Sequence, residues 1–245
     1  MPSVANYFTR GAGISHITKL LSGVSQQREM PPYARHTFKD WFGVRPSIDT
    51  GKPVILFADT FNNYFRPNIG KAAVEVLEWG GYRPIVPMQP LCCARPMYDI
   101  GMLKGAKRLL QDVMQALDPY VQEGIPIIGL EPACVASFRD ELPNLFPKDP
   151  RARRLAKNTF LFSEFLAKQK DFEPPALQQK AIVHAHCHHY AIIGTDTEKD
   201  LLGRMGLDFD LLDSGCCDMA GVFGFEGRHY EVSMRAGERV LLPAV

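Results

Sequence analysis

The chain of 245 residues contains no Cys-x-x-Cys pair, no Gly-x-Gly-x-x-Gly fingerprint, no Walker loop and almost no net charge, +1 with histidine neutral. The first absence removes the usual spacing of tetrahedral zinc sites and ferredoxin clusters. Without a glycine fingerprint there is no evident flavin or nucleotide site, and Gly215, Gly221, Gly224 and Gly227 do not rebuild one. A nearly neutral chain has no field to attract nucleic acid, and the cluster Arg151 to Arg154 is too short to change that. No segment approaches the roughly 20 apolar residues of a spanning helix, and the N-terminus lacks the pattern of a secretory signal. The expectation is a cytoplasmic protein with reduced thiols, its peripheral association with a membrane left open. Hydrophobic residues at 46% and charged residues at 22% are ordinary globular usage, enough for one or two domains.

What is present is a repeated cysteine unit. Cys92-Cys93 follows a helical segment from Lys71 to Gly81 and a strand from Pro84 to Met88; Cys216-Cys217 follows a helical segment from Glu198 to Gly206 and a strand from Phe209 to Asp213. In an intracellular chain, thiols gathered in this way are metal ligands more often than disulfides.

Short apolar runs at Val54 to Phe57, Ile85-Val86, Ile125 to Gly129, Ile182 to His184 and Phe209 to Leu212 alternate with helical stripes at 69–77 and 103–117. That alternation predicts an α/β fold of two pseudo-repeated lobes, each a small parallel sheet flanked by helices. The boundaries are a lead-in over 1–50 with a helix near Ile14 to Leu21, a first lobe over 51–142, a helical connector over 143–180 with a helix near Leu161 to Leu166, and a second lobe over 181–245.

Ligands of an open parallel sheet gather beyond the carboxyl ends of its strands. Cys92, Cys93, Cys134, Cys187, Cys216 and Cys217 all fall at such places, where helix N-termini are expected to lower thiol pKa values. His184, His186, His188 and His189 surround Cys187, and in an alternating strand His184 and His186 share a face. Asp59 ends the first strand where the second copy has Cys187, and reads equally as a helix cap. Glu131 reads as a carboxylate ligand or a solvated rim charge, and inert buried thiols are the plain alternative for the cysteines.

Leu91 to Leu103, Gly129 to Cys134, His184 to His188 and Gly215 to Gly224 resemble the cysteine-rich CCG domain of glycolate oxidase iron–sulfur proteins, heterodisulfide reductases and FAD-linked 2-hydroxyacid dehydrogenases fused to iron–sulfur modules. The resemblance runs over about residues 50 to 245 and implies an electron-transfer part of a larger oxidoreductase. It implies an iron–sulfur cluster, with 4Fe-4S as one form and zinc as the alternative metal. Cys92, Cys93 and Cys134 would ligate in one lobe and Cys187, Cys216 and Cys217, with His184 or His186, in the other, or both sets would share one site. FAD and ferredoxin-like clusters would belong to partner domains or subunits. Ala94 and Asp218 stand where the signature has glycine, a residue of the Asp59-Thr60 turn replaces the leading cysteine, and the second copy ends before a closing cysteine. A fragment without its own turnover of substrate is the expectation; a metal-free or zinc-holding docking module is the rival.

Overall fold

In the computed structural model, residues 2–46, 50–217, 219 and 221–245 are described. They fall into two compact units, one of His36–Gln178 with His188–Leu207, the other of the residues up to Arg35 with Gln179–Cys187 and Asp208–Val245.

The first unit is built on four parallel strands, β1 (Lys52–Phe57), β2 (Tyr82–Ile85), β3 (Ile127–Gly129) and β4 (Thr159–Leu161), in the order β2-β1-β3-β4. Val54, Ile55, Leu56, Ile127 and Ile128 are wholly buried, as a parallel sheet covered on both faces requires. Alternation along β1 divides the core. Ile55 and Phe57 pack with Ala106, Leu110, Val113, Met114 and Leu117 of the helix Leu103–Gln122. Val54 and Leu56 meet Ala73, Val74 and Leu77 of the helix Pro67–Trp79, together with Phe38. The stripes at 69–77 and 103–117 therefore face opposite sides of one sheet.

Residues 143–180 do more than connect. They supply β4, which pairs with β3, and the helix Phe162–Ala167, on which the helix Asp196–Arg204 packs. Leu201, buried, joins the same core as Leu77 and Phe165. The run 181–245, one lobe by its sequence pattern, is thus shared between the two compact units, with 188–207 in the four-stranded one.

The second unit has two parallel strands, β5 (Lys180–Val183) and β6 (Asp208–Leu211), paired Lys180 to Asp208 and Ile182 to Asp210. Its N-terminal part is held to its C-terminal part. Val24 bridges Glu226 antiparallel, and Arg28 donates from Nε to the Gly224 carbonyl at 2.9 Å and from Nη2 to Ser233 Oγ at 2.8 Å. The helices Pro2–Arg10 and Ile14–Ser22 turn Val4, Tyr7, Phe8, Ile17, Leu20 and Leu21 outward. No helix of the described residues is long and apolar enough to cross a membrane.

Candidate metal centre

The chain leaves β1 for β2 on one side of the sheet and returns through β3 on the other, so the strand order reverses between β1 and β3. Such a switch point opens a crevice beyond the strand ends. Asp59 lies just past β1, and its Oδ1 accepts from Asn62 N at 3.0 Å to cap the helix Thr60–Tyr64. Past β3, Glu131 accepts from Ala133 N at 3.2 Å and caps the helix Pro132–Ala136, which carries Cys134. That helix comes close because β3 ends in glycine. A Cβ on Gly129 would stand 2.5 Å from Val135 Cγ2.

Cys93 and Cys134 are buried, and their Sγ atoms lie 2.9 Å apart with no disulfide between them. Cys92 is half-buried beside Cys93. The turn behind these thiols is unusual: Ala94 has φ 65°, the one positive φ outside glycine among the described residues. A left-handed alanine is strained, and here it turns the backbone so that Ala94 N–H donates to Cys92 Sγ at 3.4 Å while the Arg95 N–H lowers the Cys93 pKa. Ser137 Oγ donates to the Cys93 carbonyl at 2.7 Å from a π-helical turn, Ser137–Glu141, that continues the Cys134 helix.

The protonation of these thiols runs against the sequence-based expectation. Helix N-termini should lower their pKa values, yet all three are raised. For Cys92 the neighbouring Cys93 thiol is the main cause and burial the second. Contact with Cys134 is the largest influence on Cys93, with burial adding to it. Contact with Cys93 pulls Cys134 down, but burial and the charges of Asp59, Glu131 and Cys92 push it further up. Mutual crowding outweighs short helix termini when no cation compensates. Burial also raises Asp59 and Glu131. Arg95 is turned away to Glu141 Oε1 at 2.6 Å and Asp99 Oδ1 at 3.4 Å.

The second set is placed differently. Cys187 and Cys216 are exposed and Cys217 half-buried. Strand β5 ends at Val183, so the alternation expected to align His184 with His186 stops short of both. His184 Nδ1 instead lies 2.6 Å from Ser214 Oγ, beside the end of β6. His186 and Cys187 come together with the next residue, His188, their three ligand atoms within 4.8 Å of one another. Among the described residues no other group of three, neither Cys187 with Cys216 and Cys217 nor Cys92 with Cys93 and Cys134, has all its ligand atoms within that limit. Strand alternation singles out His184 and His186 and passes over His188. The signal for His188 is its adjacency to Cys187. Asp218 lies outside the described residues.

Comparison with known proteins bears on this geometry. The cysteine-rich domain CCG matches residues 58–139, which span Asp59 to Cys134. Lactate utilization protein A of Bacillus velezensis is 32% identical over 180 residues, covering 69% of this chain and 74% of that protein. Its Bacillus subtilis counterpart is 31% identical with the same coverage. The chain belongs to the CCG cysteine-rich family. A more distant relative, one of the subunits of the anaerobic glycerol-3-phosphate dehydrogenase of Escherichia coli K12, is 27% identical over 220 residues. There the match covers 87% of this chain and 56% of the relative, so the chain spans little more than half of that protein. The CCG family implies a metal or iron–sulfur group, and the donors here fit one. The three crowded thiols all have raised pKa values, and Cys134 lies within electrostatic reach of the buried carboxyl of Asp59 and the half-buried one of Glu131, neither of which makes an ion pair among the described residues. An added cation is what lets such a set ionise together.

Proposed function

We propose that this chain is the CCG region of an FAD-dependent 2-hydroxyacid oxidoreductase, of the glycolate or D-lactate kind, and that it carries electrons on an iron–sulfur cluster between a flavin-bearing and a ferredoxin-like partner. The observation that carries the reading is the row Cys92, Cys93 and Cys134, half-buried to buried at the ends of a parallel sheet with backbone N–H groups turned on its sulfurs. Soft thiolates suit iron or zinc, and N–H donors to sulfur favour the thiolate form. A bound cluster would supply one-electron transfer. The chain's residues would hold it, keep water from it through the packing of Phe57 and Phe138, whose rings lie 5.0 Å apart, and fix the thiols through Ala94 and Ser137. The names of the relatives, a dehydrogenase subunit and a lactate utilization protein, support an oxidoreductase context. In the second lobe, Cys187, Cys216 and Cys217 with His184 or His186 are proposed as further ligands, with His188 added by its place beside Cys187.

Iron and acid-labile sulfide measured after anaerobic purification test the reading. Both are expected in a fixed ratio to protein, with loss in Cys93→Ser. Zinc alone at one equivalent, or no metal at all, would replace the electron-transfer reading with a docking module.

A further inference from the structure

We infer that the ion pair Arg95–Glu141 positions the first-lobe thiols for their metal, so that both are positioning residues acting through the cysteines; the inference rests on the proposed metal role of Cys92, Cys93 and Cys134. Two segments carry those thiols. Arg95 follows Cys93 by two residues and opens the helix Arg95–Asp99, and Glu141 ends the π-helical turn that continues the helix of Cys134. Three contacts join the segments. Cys134 Sγ lies 2.9 Å from Cys93 Sγ, Ser137 Oγ donates to the Cys93 carbonyl at 2.7 Å, and Glu141 Oε1 lies 2.6 Å from Arg95 Nη1. Offsets of three and seven residues from Cys134 put all three contacts on one side of a helix. Asp99, one turn along from Arg95, braces the same guanidinium nitrogen at 3.4 Å.

Stability does not explain the pair. Arg95 and Glu141 are 9% and 8% exposed, so the cost of taking both charges from water largely offsets their attraction. Arg95 Nε and Nη2 and Glu141 Oε2 are buried with no hydrogen-bond partner among the described residues, which adds to that cost. Two apolar side chains would hold the segments together about as well. What a charged pair adds is direction: a planar guanidinium against a carboxylate fixes distance and angle, where apolar contact slides. With Arg95 held, the left-handed turn at Ala94 keeps its N–H groups on the sulfurs of Cys92 and Cys93. Groups that orient a metal's ligands without touching the metal commonly change its affinity by about 10–100-fold.

The test uses the whole chain, stripped of metal, reduced and titrated anaerobically with cobalt(II), read by the thiolate-to-cobalt charge-transfer band, by the ligand-field bands that report geometry, and by the dissociation constant. Arg95→Met and Glu141→Leu each leave one charge buried and unpaired; both are expected to melt lower and to bind cobalt at least about tenfold more weakly, with displaced ligand-field bands. The double variant removes both charges and is expected to regain the parent melting temperature but not its affinity or bands. Arg139→Met is the control: it breaks the pair with Glu164, 2.5 Å away, on the same π-helical turn, and should melt lower at unchanged cobalt affinity. If the double variant regains affinity together with melting temperature, or Arg139→Met loses as much affinity as Arg95→Met, the pair is only structural and the inference is refuted. If Cys93→Ser loses the charge-transfer band while Arg95→Met keeps the parent affinity and bands, the thiol site stands and the positioning role is refuted. If the parent itself gives no band, both are refuted.

Discussion

The four-stranded unit closes over its cysteines, whereas the two-stranded unit leaves Cys187 and Cys216 exposed, although along the chain each Cys-Cys pair follows a helix and then a strand. The difference comes from sheet size. A central strand such as β1 has neighbours on both edges and helices on both faces, so Val54 to Leu56 reach complete burial. Strands β5 and β6 each have one neighbour, and along both of them burial alternates between exposed and intermediate. Two parallel strands offer too little surface to bury the residues just beyond their ends. A repeated motif therefore yields two chemical environments: crowded thiols with raised pKa values in one copy, accessible thiols in the other.

The sharpest way to break this contrast is to truncate matched apolar residues. Phe138, 1% exposed and packed on Phe57 beside the thiol pair, should cost about 3–5 kcal/mol on mutation to alanine. Ile182 of β5, 51% exposed, should cost no more than about 0.5 kcal/mol. Urea midpoints measure both, and similar losses would mean that the two units are packed alike.

A smaller effect separates the two turns at the cysteine pairs. Ala94→Gly relieves a left-handed residue at φ 65° and should raise stability by about 1 kcal/mol, less the added chain entropy of glycine. At Gly215, φ 63°, alanine should lower it by a similar amount, about 1 kcal/mol. Urea unfolding of the two variants with opposite signs sharpens the comparison; shifts of the same sign would show that backbone strain is not what distinguishes the turns.

The smallest effect concerns whether 143–180 is integral to the four-stranded unit. Hydrogen bonds from the Arg151 side chain hold the Asp149 carboxyl below its ordinary pKa, helped by Arg151 N at 2.9 Å at the start of the helix Pro150–Lys157. A depressed acid stabilises the fold above its unfolded pKa of about 3.9, and that contribution is lost as pH falls through the folded value. Asp149→Asn keeps the cap, so the parent should melt slightly higher at pH 7 and the two should converge at an acid pH below the folded value. Melting curves that differ equally at both pH values would remove the ion pair as the cause.

Much of this is legible from local pattern. The runs at Val54, Ile85, Ile125, Ile182 and Phe209 form strands, and the stripes at 69–77 and 103–117 form helices. Strand β4 escapes that pattern because Thr-Phe-Leu is three residues between two helices and pairs only with β3, a contact that nothing local announces. The pairing of His184 with His186 fails for a similar reason: it assumes that the strand continues, and the hydrogen-bonded ladder has already ended at Val183.

By itself the sequence determined that the cysteines stand after strand ends, since period, glycine stops and Cys-Cys spacing are local properties of the chain. Which strand end lies beside which depends on strand order. Only the tertiary structure placed β1 next to β3, and with them set Asp59 in electrostatic reach of Cys134, Cys134 against Cys93, and a left-handed Ala94 behind the pair. Burial then reversed the pKa direction that helix termini had suggested, because desolvation and crowding act through neighbours brought from 41 residues away between Cys93 and Cys134, and no stretch of sequence contains them.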